Sequence, residues 1–287
     1  MPELVVRTAD GVTLAIDRVV PAGVRRGVVV CLHAMMTDGR YFGARRTGEA
    51  SFTAALAADG IEVFVADFRG HGRSVPPHAG PGDWSFDDLV ELDLPAITGA
   101  VCDAAEIRTD ELAILGHSLG GLVAAAGLGT GRIPAPKALV LAATSVWLPG
   151  PDGPIARRTL MSVYRGVTRV LGRAPIRALR VGTSDESRTY VAQLTGWSRS
   201  GRWTSLRGVD YLAALANITV RTCSVVGTGD WMCRPADAEQ ISGRIPSAGP
   251  LRIVGRDHGD FLDPDHFELF TRPELGTWRQ ELVGYVT

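Results

Sequence analysis

The sequence feature that most constrains the fold is the stretch Gly-His-Ser-Leu-Gly at positions 116–120. An apolar run at residues 112–115 precedes it and predicts a short buried strand, and the small residues 121–126 that follow predict a helix. A serine between a strand and a helix, with glycine two positions away on each side, marks a sharp turn in which larger flanking side chains would collide with both elements. Because such a turn lifts its hydroxyl above the sheet, we predict that Ser118 is a nucleophile.

Other apolar runs predict the sheet around this turn. Residues 27–32 are continuously apolar, as a strand covered on both faces must be, and further strands are predicted at 61–66, 138–143, 219–226 and 251–254. Strands that alternate with helical segments predict an α/β fold with a mainly parallel central sheet flanked by helices.

Local signals add detail to this arrangement. The dipeptide Asp10-Gly11 predicts an antiparallel hairpin at the start of the sheet. Residues 85–88, Ser-Phe-Asp-Asp, resemble a capping box that begins a helix, and Pro95 is expected to kink or split that helix near its middle. A last helix is predicted over residues 274–283.

The segment 145–216 differs from the rest of the chain in charge and pattern. It holds eleven arginines and four acidic residues. At helical spacing, one face is apolar and the opposite face basic, with Leu160, Val163, Tyr164, Val167 and Leu171 against Arg158, Arg165 and Arg169. We predict a helical cap at 145–216, inserted into a core formed by residues 1–144 and 217–287.

Composition excludes several functional classes. The formal net charge is −1, and basic residues do not interleave with aromatic ones along a strand, so neither nucleic acid nor an anionic membrane is an expected partner. No apolar run reaches the ~18 residues of a membrane span, and residues 1–4 lack a charged-then-apolar pattern, so we expect neither a membrane span nor an export signal. The cysteines form no C-x-x-C pair and no Cys/His cluster suggests a metal, so we expect buried free thiols, a cytoplasmic location and no cofactor.

A serine hydroxyl needs a base, and the base needs a carboxylate that orients it. In a strand–turn–helix arrangement of this kind the acid and then the histidine follow the serine, each just after a strand. Asp230 follows a strand and a glycine turn, and His258 follows the next strand, so these two are the predicted acid and base. His117 is expected to have a structural or pocket-wall role, and His266 is expected at the surface of the last helix.

Acyl transfer also needs backbone donors for the oxyanion of its transition state. The N–H of Leu119, directly after the nucleophile, is the first predicted donor. The second should come from the loop after the 27–32 strand, most plausibly the N–H of Met35, with His33 bracing that loop.

These motifs together resemble the α/β-hydrolase superfamily. The resemblance rests on the stretches 116–120, 32–33, 67–74 (Asp-Phe-Arg-Gly-His-Gly-Arg-Ser), 227–230 and 257–259, and on residues 84–88 with 93–96, which resemble a helix of acid-type lipases. It covers residues 4–144 and 217–285 and implies bracing roles for Arg69 and His71. The family usually has glycine in the oxyanion loop at the position where this chain has Ala34.

The resemblance and the triad order predict a serine hydrolase that cleaves carboxylic esters through an acyl-enzyme on Ser118. An apolar acyl pocket is expected from Met35 and Met36 and from three tryptophans whose alternative role is packing between cap and core, namely Trp147, Trp197 and Trp203. A thioesterase or acyltransferase that acts on a carrier-linked acyl group is the alternative, because the basic cap would attract an anionic carrier. A non-catalytic binding protein of the same fold is a third hypothesis, and the sequence leaves the oligomeric state open.

Overall fold

The computed structural model describes residues 3–44, 50–74, 82–148 and 155–287. The strands of the described residues are β1 (Leu4–Arg7), β2 (Thr13–Val19), β3 (Gly27–Leu32), β4 (Ile61–Ala66), β5 (Leu112–His117), β6 (Ala138–Ala142), β7 (Arg173–Ala174), β8 (Glu186–Ser187), β9 (Arg221–Gly227) and β10 (Arg252–Val254). The α-helices are α1 (Phe52–Ala58), α2 (Phe86–Asp88), α3 (Leu94–Ala105), α4 (Leu119–Gly129), α5 (Ile155–Leu171), α6 (Arg188–Ser200), α7 (Tyr211–Ala214), α8 (Pro235–Ser242), α9 (Glu268–Thr271) and α10 (Gly276–Val286).

Eight of these strands form one sheet in the order β1-β2-β4-β3-β5-β6-β9-β10. The pairs β1–β2 and β2–β4 are antiparallel. Every other pair in this order, from β4–β3 to β9–β10, is parallel. The predicted fold class, a mainly parallel sheet flanked by helices, is confirmed. The hairpin at Asp10-Gly11 is also confirmed, and Gly11 has the positive φ of 86° that its turn requires.

The central strands are buried on both faces because helices cover each side. In β3, Val28, Val30 and Leu32 pack into one apolar cluster, whereas Val29 and Cys31 pack into the other. Alternate residues of a strand point to opposite faces, so a strand with two buried faces must be apolar throughout. This accounts for the continuous apolar run in the sequence.

The predicted capping box and break at Pro95 are both present. Ser85 Oγ accepts from the Asp88 N–H at 3.2 Å, and Asp88 returns a bond to the Ser85 N–H at 2.7 Å. A π-helical turn at Leu89–Asp93 separates α2 from α3, whose first turn contains Pro95. Asp93, the last residue of the π-helical turn, is fully buried and accepts from Nε of Arg69 at 2.7 Å, in agreement with a bracing role for that arginine.

The stretch between β6 and β9 contains α5, the two-stranded β7–β8 ribbon, α6 and α7. Helix α5 packs along α6, and four residues of its apolar stripe, Leu160, Val163, Tyr164 and Val167, line a cavity and remain partly open to solvent, whereas Leu171 is exposed and lies outside the lining. On the basic face Arg165 is half-buried and Arg169 exposed, while the side chain of Arg158 lies outside the described residues. The division into a core and an inserted cap at 145–216 stays a prediction, and we use "cap" below for this stretch.

Candidate active site

Ser118 stands at the junction of β5 and α4 in a strained backbone conformation, with φ 52° and ψ −109°. A Cβ at Gly116 would lie 2.4 Å from the backbone of Gly121, and a Cβ at Gly120 would lie 2.3 Å from the carbonyl oxygen of Leu32. Only glycine fits at either position, which is the steric reason inferred from the sequence. The N–H of Ser118 donates to the β6 backbone at 2.9 Å, and this bond helps to hold the strained turn.

Asp230 lies in the turn after β9 with its carboxylate fully buried. One carboxylate oxygen accepts from the N–H groups of Met232 and Cys233, each at 2.8 Å. The other oxygen bonds to Nδ1 of His266 at 2.7 Å. The acid is therefore fixed by its own backbone and presents one oxygen to a histidine ring.

That histidine is not the one expected from the sequence. His258 lies in a 3₁₀ turn at Arg256–His258 and is exposed, and no hydrogen bond of the described residues joins it to Asp230 or Ser118. His266 is 5% exposed and lies before α9, with Asp230 beside it. The assignment of His258 as the partner of Asp230 is thus wrong, and so is the expected surface position of His266.

Two glycines at the end of β9 explain why His266, and not His258, bonds to Asp230. A Cβ at Gly227 would lie 2.1 Å from the carbonyl oxygen of Pro264, and a Cβ at Gly229 would lie 2.6 Å from that of Asp263. The chain after β10 therefore folds back onto the bare backbone of this turn, which carries His266 to Asp230. The glycines at 227 and 229 were a visible signal of this close approach, although sequence alone does not say which segment approaches.

The two nitrogens of His266 have different surroundings. Because the carboxylate of Asp230 can only accept when ionised, Nδ1 carries the proton that joins them. Nε2 is buried and has no hydrogen-bond partner among the described residues, and the ring lines the same cavity as Ser118. A neutral ring with the proton on Nδ1 has its lone pair on Nε2, as a general base requires.

The ring of His117 packs against the ring of His266. The ring centroids of His117 and His266 lie 4.8 Å apart, and the Tyr41 hydroxyl bonds to Nδ1 of His117 at 2.7 Å. Burial, together with the neighbouring His266, holds the pKa of His117 well below its usual value, so its ring is neutral at pH 7. Of the two roles expected from the sequence, structural and pocket-wall, these contacts fit the structural one.

The two expected oxyanion donors lie at the same cavity. Leu119 is the first residue of α4, where a backbone N–H has no acceptor within the helix, and Met35 lies in the loop after β3. The Gly120 N–H donates to the His33 carbonyl at 3.0 Å and so ties that loop to the serine turn. Nε2 of His33 accepts from a backbone N–H of the 67–74 loop at 3.1 Å, while burial lowers the pKa of His33 to about 3 and keeps it neutral.

Above the serine is an apolar cavity of about 480 Å³. Its lining combines the serine turn, the loop after β3 and the cap, including Met35, Met36, Trp147, Leu160, Val163 and Val167. Trp197 and Trp203 are absent from this lining. They are buried against Phe86 of α2, at ring-centroid distances of 5.1 and 6.0 Å, so the alternative of packing between cap and core applies to these two tryptophans.

The described residues contain no cluster of three or more His, Cys, Asp or Glu side chains that could hold a metal. In the same part of the chain no helix is long and apolar enough to cross a membrane. All four cysteines are buried and unpaired, and burial raises the pKa of each thiol.

A parallel sheet whose central strand ends in a strained serine, beside a buried Asp–His pair, is the arrangement of the α/β-hydrolase class of serine hydrolases. The chain belongs to the serine aminopeptidase S33 family, whose model matches residues 25–254. No curated protein matches the sequence.

Solved structures of low sequence identity share the fold. An esterase from Exiguobacterium antarcticum is 20% identical, with a TM-score of 0.62 and coverage of 100% of this chain and 99% of that one. An enol-lactonase from Burkholderia xenovorans LB400 is 16% identical, with a TM-score of 0.61 and coverage of 98% and 99%. A thermophilic esterase from Thermogutta terrifontis is 18% identical, with a TM-score of 0.60 and coverage of 99% of both chains.

Proposed function

We propose that this hydrolase cleaves carboxylic esters through an acyl-enzyme on Ser118, with His266 as base and Asp230 as orienting acid. The observation that carries the proposal is the buried bond between His266 Nδ1 and Asp230, which leaves Nε2 unpartnered at the cavity that Ser118 lines. Catalytic hydrogen bonds are often open in ligand-free enzymes and close when substrate binds.

The reaction follows from these positions. Ser118 Oγ attacks the acyl carbon while its proton passes to Nε2 of His266, and the carbonyl oxygen becomes an oxyanion at the N–H groups of Leu119 and Met35. The carbon–oxygen bond to the alcohol then breaks, and His266 returns the proton to the leaving alcohol. Water attacks the acyl-enzyme by the same route in reverse, which releases the carboxylic acid and regenerates the Ser118 hydroxyl.

The cavity favours an uncharged ester with an apolar acyl group. Its described lining contains no Asp or Glu side chain, and the side chains with polar atoms belong to Ser118, Ser145, Trp147, Tyr164, Tyr190, Trp231 and His266. A peptide with a free α-amino group is a cation and would need a carboxylate in such an apolar site. For this reason we place esters ahead of aminopeptidase substrates, despite the name of the family.

A thioesterase or acyltransferase is the second candidate function. It is favoured by the groove between α5 and α6, where Arg165, Arg169 and Arg199 lie on the outer side of the cap and could attract an anionic carrier. A competition assay separates the two: a matched thioester cleaved much more slowly than the ester, with no acyl transfer to added nucleophiles, would exclude this candidate.

The test of the proposal is covalent labelling with an organophosphonate ester, followed by a chromogenic ester series of rising acyl length. We expect stoichiometric labelling of Ser118, none in Ser118→Ala, and cleavage that improves with acyl length until the cavity is filled. A wild-type protein that neither reacts with the probe nor cleaves any ester would overturn the proposal and support a binding protein of the same fold.

The free, buried cysteines also lead us to propose a reducing compartment, the cytoplasm.

A further inference from the structure

Met36, next to the proposed oxyanion donor, has a left-handed backbone with φ 62°. A side chain other than glycine is strained in this region and stays there only when its surroundings impose the conformation. Here the surroundings come from the cap. The Met36 carbonyl accepts from the N–H groups of Thr183 and Ser184 at 2.8 and 3.2 Å, and a Cβ at Gly182 would lie 2.3 Å from the same oxygen.

The Met36 N–H is held by the cap as well, because it donates to Oε1 of Glu186 in β8. The Glu186 side chain is fully buried. Both polar groups of one strained residue are thus bonded to a five-residue segment of the cap, 182–186. The plane held at the Met36 N–H also contains the carbonyl of Met35, and the Met35 N–H lies in the plane before it. The two planes meet at the Met35 Cα, so holding the first restricts the φ and ψ of Met35 and with them the direction of its N–H.

The carboxylate of Glu186 is itself fixed by His71. Oε1 lies 3.2 Å from Nε2 of His71, and Nδ1 of the same ring lies 2.9 Å from the carbonyl oxygen of Arg69. Both ring nitrogens face acceptors, so the geometry fits a doubly protonated ring that donates twice. Burial opposes the charge on the ring, but Glu186, the carbonyl of Arg69 and Asp67 together raise the pKa of His71. The bond to this buried ring anchors Glu186 to the core.

We propose that Glu186 is a positioning residue for ester cleavage: from the cap, it holds Met36 in its left-handed conformation and so aims the Met35 N–H at the oxyanion. The inference rests on the proposed function, since an oxyanion forms only in acyl transfer. If Glu186 has this role, the oxyanion hole is complete only when the cap is docked, and the cap takes part in the chemical step as well as in substrate binding.

Three substitutions separate hydrogen bonding from charge. Glu186→Gln keeps the length and an acceptor for the Met36 N–H but loses the charge opposite His71. Glu186→Asp keeps the charge but withdraws the acceptor by one methylene. Glu186→Ala removes both. If Glu186 acts by positioning, kcat falls by about 10²-fold in the Ala variant with KM little changed, Gln recovers most of the loss, and Asp recovers little.

Gln193 of α6 offers a matched control. It is also buried, and it ties the cap to the core by donating to Asp87 at 2.7 Å and accepting from the Phe86 N–H at 2.9 Å, without contact to Met36. We expect Gln193→Ala to lower the melting temperature of the protein and to leave kcat unchanged. A similar loss of kcat in Gln193→Ala would mean that Glu186 acts only by keeping the cap folded.

The decisive readout is inhibition by a trifluoromethyl ketone, which adds to Ser118 and forms an oxyanion, compared with the parent methyl ketone, which binds without forming one. We expect the inhibition constant of the fluorinated ketone to rise in each Glu186 variant by the same factor by which kcat/KM falls, while that of the methyl ketone stays constant. Equal losses for both ketones, or a Gln variant weaker than the Asp variant, would overturn the positioning role.

Should the Ala variant not fold, the comparison of Gln with Asp still decides. A wild-type protein that forms no adduct overturns the proposed function together with this inference, whereas wild-type activity that Glu186 variants retain overturns the inference alone.

Discussion

Two segments that follow β10 each carry a histidine, and they differ in almost every respect. The first, residues 255–260, is a tight turn closed on itself: Asp260 accepts from the Gly255 N–H at 2.9 Å and is bound by Arg252 at 2.7 Å, and His258 points into solvent. The second, residues 262–267, lies on the backbone of the turn after β9, and its histidine is buried against Asp230. We call them the β10 turn and the His266 segment.

A residue that lies close to the end of a strand in sequence therefore does not necessarily reach the site. The β10 turn is held by its own bonds, by Arg252 and by Asp263, which accepts from the Arg256 N–H at 2.9 Å, and none of these bonds involves Ser118 or Asp230. The His266 segment gains its position from the space left by two glycines and from Asp263, which accepts from Thr228 Oγ1 at 2.7 Å. Eight positions along the chain separate the exposed His258 from His266, which is bonded to Asp230.

The largest expected effect comes from exchanging the two histidines for glutamine, one at a time. His266→Gln removes the proposed base and should lower kcat for a chromogenic ester by on the order of 10⁴-fold or more, as losses of a triad histidine do. His258→Gln should leave kcat and KM unchanged, because its ring contacts neither Asp230 nor Ser118. Steady-state kinetics of both variants checks the pair, and a large loss in His258→Gln would reverse the assignment.

A smaller effect is expected from the glycine on which the His266 segment rests. In Gly227→Ala the new Cβ would meet the carbonyl oxygen of Pro264, so the segment must shift and His266 with it; displacements of about 1 Å at a catalytic group cost about 10²-fold in kcat. The matched control is Gly259→Ala in the β10 turn. There φ is 87° but no atom lies within 4 Å of the new Cβ, so we expect a stability loss of ~1 kcal/mol in urea unfolding and normal kcat.

The bond between Thr228 and Asp263 should matter less. Thr228→Val keeps the shape of the side chain and removes one exposed hydrogen bond, whose net value is about 1 kcal/mol. We expect at most about a tenfold loss of kcat, which corresponds to ~1.4 kcal/mol. An effect as large as that of Gly227→Ala would show that the bond, more than the close backbone contact, holds the His266 segment.

The smallest expected effect is that of low pH on the free energy of unfolding through His117, whose ring packs against His266. Burial keeps His117 neutral in the folded protein, whereas the unfolded chain binds a proton at this residue below about pH 6.5. Its folded pKa is depressed, so the free energy of unfolding should fall as pH drops below 6.5, by about 1.4 kcal/mol per pH unit for one histidine. Urea titrations between pH 7.5 and 5 should show a slope that is shallower by one proton in His117→Gln. Equal slopes in the two proteins would contradict the neutral, buried ring.

Much of the fold was predictable because its signals are local. Continuous apolar runs marked strands with two buried faces, Asp10-Gly11 marked the hairpin, and the Ser85–Asp88 box and Pro95 marked the start and break of a helix. The serine turn was predictable partly for the same reason, since a Cβ at Gly116 would collide with the nearby backbone of Gly121. A Cβ at Gly120 would instead collide with the carbonyl oxygen of Leu32 on the neighbouring strand.

The pocket was predictable only in part. Met35, Met36 and Trp147 do line the cavity, whereas Trp197 and Trp203 are buried between cap and α2. Large aromatic side chains fill cores and binding sites alike, and only the packing of the cap against its neighbours separates the two uses.

The sequence by itself determined the α/β sheet, the sharp turn at Ser118 and the place of Asp230 just after a strand, because short-range sterics and strand ends constrain all three. The tertiary structure alone decided that His266 and not His258 bonds to Asp230, and that Glu186 bonds to the Met36 N–H. These pairs lie 36 and 150 residues apart along the chain. Contacts of such separation depend on how whole segments fold back over one another, and no local pattern of residues encodes that path.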